Sequence, residues 1–166
     1  ELAIIVALVG CAYVFILIFS RIIDIMQTVS YSSVTDGLTK LLNKHYFKNK
    51  VHEAIDNGSA KAIIFADIDN FKQLNDTQGH HIGDEILKLV GQILKDVVND
   101  YGLCGRYGGE EMVALVTSDV VNVASMAERF RIRVETESKS IFPVTVSVGY
   151  ALHHSSVKDA DTLIKQ

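Results

Sequence analysis

Two pairs of acids in this chain stand where carboxylates could share a cation. Glu110 and Glu111 follow Gly108 and Gly109, with strand-like residues on both sides: Leu103-Cys104 leads in and Met112-Val113-Ala114-Leu115-Val116 leads out. A Gly-Gly step between two such runs predicts a hairpin turn, because glycine alone takes positive φ without cost. The turn would hold both acids at its mouth, with no side chain at 108 or 109 to bar a ligand. The second pair, Asp67 and Asp69 around Ile68, ends the apolar run 61–66, which is short enough for a buried strand. Each pair alone has an ordinary explanation, a solvated turn or a strand end facing water. Together they suit Mg²⁺, which usually takes one or two protein carboxylates and completes its shell with water and phosphate oxygens.

The surrounding pattern supplies elements to carry them. A helix over 46–57 has Phe47, Val51, Ala54 and Ile55 on one face and Gly58 as its stop. A strand over 62–66 follows, then a helix over 82–98 whose Ile86, Leu89, Val90, Ile93, Leu94 and Val97 recur at three and four. After the hairpin come a helix over about 120–137, a strand over 144–151 and the start of a last helix over 159–165. This alternation predicts an α+β domain, a sheet covered on one face by helices.

The front of the chain differs. Residues 2–20 carry no charge and are dominated by Ile, Val, Leu, Ala and Phe. About 20 such residues span a bilayer as a helix, so one transmembrane helix is predicted over 1–20. No basic segment precedes it and no clear cleavage site follows, which argues against a signal peptide; a buried core helix is the other reading at this length. Arg21 closes the run and Lys40, Lys44, Lys48 and Lys50 lie beyond, which predicts a single-pass protein of the inner (cytoplasmic) membrane with its C-terminal part in the cytoplasm. Residues 21–34 could continue as a signalling or linker helix. Ile22, Met26 and Val29 fit a 4–3 spacing there, over too few heptads for a coiled coil.

Other chemistries lack support. A net charge of −4 without a basic stripe argues against nucleic acid. Cys11 and Cys104 offer no disulfide framework. His80, His81 and Asp84 have no further ligands at zinc spacing, His153-His154 reads as a solvated loop, and no serine sits in a nucleophile context.

The segment between the acid pairs carries a resemblance. Phe65-Ala-Asp-Ile-Asp-Asn-Phe-Lys72 is followed by Leu74-Asn-Asp-Thr-Gln-Gly-His80, Gly83-Asp84 and Gly108-Gly-Glu-Glu-Met112. Upstream stands Asp36-Gly-Leu-Thr-Lys-Leu-Leu-Asn-Lys44, and downstream Val144-Thr-Val-Ser-Val-Gly149. In order and spacing this resembles the GGDEF family, the diguanylate cyclases, from about Thr35 to Gln166. The resemblance implies a palm-like ferredoxin-type core over 35–166, with its C-terminal end missing, and an upstream sensory region outside the chain. It implies a homodimer in which two GTP condense to cyclic di-GMP with release of pyrophosphate, with Mg²⁺ or alternatively Mn²⁺. By the same resemblance Asp67, the Ile68 carbonyl, Glu110 and Glu111 are metal ligands, and Glu110 also helps to deprotonate the attacking 3′-hydroxyl. Gly108 and Gly109 let the backbone lie against the nucleotide, Lys72 meets the terminal phosphates, and Asn75 and Asp84 read guanine. An ionised carboxylate can accept from both guanine donors, although Gly83-Asp84 also resembles a helix start with Asp84 as its cap.

Departures from the family pattern matter too. Lys40, Leu42, Asn70 and Met112 replace commoner residues. Many members carry Arg-x-x-Asp five residues before the glycines as a product-binding brake; here Asn99 and Gly102 stand at those positions, so no inhibitory product site is expected. A catalytically silent domain that binds GTP, or only a partner, is the alternative to an active cyclase. The retained acids favour the enzyme.

Overall fold

The apolar run that ends in Asp67 becomes β2 (Ala62–Ile68), an inner strand of the computed structural model, which describes residues 10–23, 34–119, 121–154 and 162. Its neighbours are β4 (Glu111–Val116) and β5 (Val146–Leu152), both antiparallel to it. β3 (Gly102–Arg106) forms the hairpin with β4, and the short β1 (Leu42–Asn43) adds in parallel to β3. The five-stranded mixed sheet has the order β1-β3-β4-β2-β5.

Among the described residues α1 (10–23) lies in the N-terminal part of the chain, and four helices accompany the sheet: α2 (Lys44–Asp56), α3 (Phe71–Gln78), α4 (His80–Val98) and α5 (Val123–Glu137). From β2 to β5 the chain runs β-α-β-β-α-β, counting α3 and α4 as one crossover, which is the ferredoxin-like arrangement. Ala62, Ile64, Ala66 and Ile68 meet α4 and α5 through Ile86, Val90, Leu94, Phe130 and Val134. Ile63, Val113 and Leu115 instead meet Phe47, Val51 and Ala54 of α2. Helices therefore cover both faces, where the sequence pattern predicts one. The near-continuous apolar runs of β2 and β4 are the mark of strands covered on both sides.

Local chemistry sets the element ends. The Asn43 side chain caps α2 by accepting from the Tyr46 N–H at 2.8 Å, and Asn122 caps α5 by accepting from Ser125 at 3.0 Å. Gly79, at φ 85°, separates α3 from α4 in a conformation that favours glycine. α3 has no counterpart in the sequence prediction: only Phe71 and Leu74 of it are buried, too few to establish a helical period. The predicted helix over 159–165 lies outside the described residues except for Thr162.

The chain divides into two units, Glu1–Val34 and Thr35–Gln166. In the first, the expected transmembrane helix is not borne out. Among the described residues no helix is long and apolar enough to cross a membrane. Residues 10–23 of the predicted span are helical, and residues 1–9 lie outside the described residues. Of the predicted linker helix over 21–34, only residues 21–23 and Val34 are described.

Candidate active site

Sheet register brings the first acids together. Asp67 of β2 pairs directly with Glu111 of β4 on one side and with Ser147 of β5 on the other. Directly opposed residues share a face with Cβ atoms about 5 Å apart, so two carboxylates stand side by side at the end of the inner strands. Burial pushes the Asp67 carboxyl above its ordinary pKa, and the negative charge of Asp69 adds to the rise. Asp69 itself accepts from Thr145 Oγ1 at 2.5 Å and Ser147 Oγ at 2.6 Å, while its N–H donates to the Thr145 carbonyl at 3.0 Å. The second Asp is therefore tied to the start of β5. Among the described residues no three His, Cys, Asp or Glu side chains are gathered to hold one ion. The sheet offers a carboxylate pair rather than a closed cage, which fits a hard cation that takes its remaining oxygens from water and phosphate. The raised pKa of Asp67, set by burial and then by the charge of Asp69, is also an arrangement that a divalent cation would relieve.

Glu110 lies in the loop between β3 and β4, half-buried. The turn differs from the expected one, since neither Gly108 nor Gly109 has positive φ. The loop closes through the Tyr107 N–H donating to the Glu111 carbonyl at 2.8 Å, and Arg106 holds it from inside. Arg106 Nε donates to the carbonyls of Gly108 and Gly109, both at 3.2 Å, and Nη2 reaches Gly109 at 2.6 Å. Its Nη1 meets Asp36 at 3.1 and 3.3 Å, and Asp36 also accepts from the N–H and hydroxyl of Thr39 at 2.8 and 2.7 Å. A Cβ at Gly108 would lie 1.9 Å from Glu111 Oε2, so a side chain there would require the Glu111 carboxylate to move. Gly109 faces open space, with nothing within 4 Å of such an atom. Behind the loop, Tyr107 stands edge-on to Phe65 at 5.6 Å, and Lys44 Nζ lies 4.0 Å over its ring.

The remaining predicted residues sit on α3 and α4. Asn70, at φ 56°, turns the chain out of β2 into α3, whose first-turn N–H groups have no partner within the helix. Lys72 lies exposed in that turn, and a helix N-terminus with a lysine suits phosphate oxygens. Asn75 lies one turn further on, against Gly83 of α4. Asp84 is exposed and is not the cap of α4, which starts at His80 with Gly79 at the cap position. Asn99, at φ 41°, ends α4, and Gly102 begins β3.

Sequence reasoning missed three features here. Arg106, immediately before Tyr-Gly-Gly, could have been suspected as a loop-filling cation. Thr145 and Ser147 alternate on a strand with the period of Asp67 and Asp69, a signal readable only once the strands are known to pair. Asp36 carried no chemical expectation at all.

A ferredoxin-like sheet ending in paired carboxylates, beside a helix N-terminus and a glycine loop, is the architecture of palm-type nucleotide-handling domains. Comparison with known proteins narrows the class. Residues 33–166 match the family described as "Diguanylate cyclase, GGDEF domain", and the chain belongs to the GGDEF family. Diguanylate cyclase DosC of Shigella sonnei is 36% identical over 140 residues, 78% of this chain and 30% of the relative. Diguanylate cyclase DgcS of Shewanella oneidensis is 32% identical over 145 residues, 84% of this chain and 49% of that protein. The chain thus spans less than half the length of either. Among solved structures, the GGDEF domain of DgcB from Caulobacter crescentus, in complex with c-di-GMP, superposes with a TM-score of 0.69 at 28% identity, covering 80% of this chain and 81% of that one.

Proposed function

We propose that this chain is the catalytic part of a diguanylate cyclase and that two copies condense two GTP into cyclic di-GMP. The observation that carries this reading is the register pair Asp67–Glu111, set between the glycine loop and the N-terminus of α3. In the reaction the 3′-oxygen of each nucleotide bonds to the α-phosphorus of the other. The bond to the β-phosphate breaks, pyrophosphate leaves from each GTP, and each 3′-hydroxyl gives up its proton. Glu110 is the residue to receive that proton. Asp67 and Glu111, the pair brought together by the sheet register, would hold a divalent ion, which we take to be Mg²⁺. When bound, it neutralises the triphosphate and lowers the pKa of the attacking hydroxyl.

The other residues bind and orient. Lys72 and the free N–H groups of α3 take the terminal phosphates, Asp84 accepts from the guanine N1–H and amino group, and Asn75 meets the purine edge. One chain offers one such site and the product contains two guanylates, so the active species is a homodimer with the sites facing. Incubating the chain with GTP and Mg²⁺ and separating the nucleotides tests the reading. Cyclic di-GMP and two equivalents of pyrophosphate per product are expected. GTP bound but unchanged would instead indicate a silent receptor domain.

A further inference from the structure

Asn75 Oδ1 is the one buried side-chain oxygen or nitrogen without a hydrogen-bond partner among the described residues. What it faces explains how it is tolerated. A Cβ built on Gly83 would stand 2.0 Å from Asn75 Oδ1, 3.0 Å from its Cγ and 3.3 Å from Phe71 Cζ. The oxygen therefore rests against the bare Cα of Gly83, in space that any other residue would fill. Gly83 is not needed for backbone freedom, because it lies inside α4 and does not have positive φ. Alanine would be the better helix former at such a position. The amide's other end is not shut in, since only Oδ1 is buried and unpaired. The opposite amide orientation would press two N–H donors against a Cα–H group. The orientation present gives that group at least a weak acceptor.

We propose that Gly83 is a positioning residue for substrate recognition: its missing side chain seats Asn75 Oδ1 and so aims the Asn75 Nδ2 donor at an acceptor nitrogen of the bound purine. This rests on the proposed function, and it divides the labour between adjacent residues of α4. Asp84 takes the donors specific to guanine, whereas Gly83 acts through Asn75 on an acceptor that any purine offers. The oxygen goes without a full hydrogen bond so that the donor is fixed before the nucleotide arrives.

The test is a double-mutant cycle on the 166-residue chain, comparing wild type, Gly83→Ala, Asn75→Ala and the double variant. GTP and inorganic triphosphate affinities would be measured by calorimetry, and stability by thermal unfolding. Gly83→Ala is expected to weaken GTP by about tenfold, the loss of one hydrogen bond to a fixed partner, and to leave inorganic triphosphate unchanged. Adding it to Asn75→Ala should cost no further GTP affinity. It should also raise the melting temperature there, because the methyl group enters an empty socket and helix propensity improves. Equal weakening of GTP and triphosphate, or losses that multiply in the double variant, would overturn the proposal. If wild type binds triphosphate but shows no preference for GTP over it, the purine reading of Asn75 fails, whatever the stability cycle shows.

Discussion

Asp67 shows at the scale of single residues why the sequence motif is chemically loaded. Its pKa is raised by burial and then by Asp69, and its cross-strand neighbour is another acid. Evolution of a stable strand end alone would favour a neutral residue there, since like charges directly opposed destabilise a sheet. Substituting Asp67→Asn or Glu110→Gln should depress cyclic di-GMP synthesis by at least about 100-fold, in the range seen when electrostatic groups are removed from active sites. Melting temperature should hold or rise. Undiminished product from either folded variant would reject the assignment. Asp84 makes a second test. Its exposure and its position beyond the helix cap leave it free for a ligand, so ATP, which lacks the N1–H and the 2-amino group, should compete poorly with GTP. Equal affinity for the two nucleotides would remove Asp84 from base recognition.

At the scale of elements, the glycine loop owes its shape to Arg106 rather than to glycine conformations. One guanidinium gathers two carbonyls and the Asp36 carboxylate, a fork that lysine cannot reproduce. Arg106→Lys should therefore lower turnover by up to about 100-fold through misplacement of Glu110, with GTP binding less affected. Asp36 also gives the loop an acid sensitivity. Burial raises the Asp36 carboxyl, but the Thr39 N–H and hydroxyl and Arg106 together outweigh it and hold the pKa below its ordinary 3.8. A folded-state pKa below the unfolded one contributes stability that is present above the unfolded value and lost as pH falls through the folded value. Thermal unfolding from pH 7 to 3 should thus show an acid-side loss in wild type that is shallower in Asp36→Asn; identical profiles would mean the pair is inert. The sequence made the helices at 44–56, 80–98 and 123–137 and the strand pairs around the hairpin legible, because repeated apolar positions state their period. α3 and the Asp69–Thr145–Ser147 bracket were not legible. One is too short to have a period, and the other joins residues 76 and 78 apart. The uncharged stretch over 2–20 predicted a membrane span from composition alone, and among the described residues no helix is long and apolar enough to cross a membrane.

For the whole molecule, the question is what stops synthesis once it starts. In the family pattern, Arg-x-x-Asp before the glycines binds product, and here Asn99 and Gly102 occupy those positions. The fold makes this more than an exchange of two side chains. Gly102 pairs with Val116 across the hairpin, and a Cβ on it would stand 1.9 Å from the Leu115 carbonyl oxygen and 2.9 Å from its carbon. That neighbour is backbone in an inner strand, so it cannot give way without shifting β3 against β4. Asn99 ends α4 at φ 41°, and its side-chain amide donates to Asp100 at 3.1 Å. The nearby cleft of about 230 Å³ contains Lys40 and Lys95 but no carboxylate to accept from a guanine. Cyclic di-GMP should therefore accumulate with little inhibition until GTP is exhausted, and added product should leave the initial rate nearly unchanged. The double substitution Asn99→Arg with Gly102→Asp should fail to install the brake and should lower the melting temperature, because the aspartate has no space beside Leu115. Tight, non-competitive inhibition of wild type by cyclic di-GMP that survives mutation of Asn99 and Asp100 would place a brake elsewhere and sink this reading. A double variant that gains inhibition without losing stability would show instead that β3 can shift to admit a side chain.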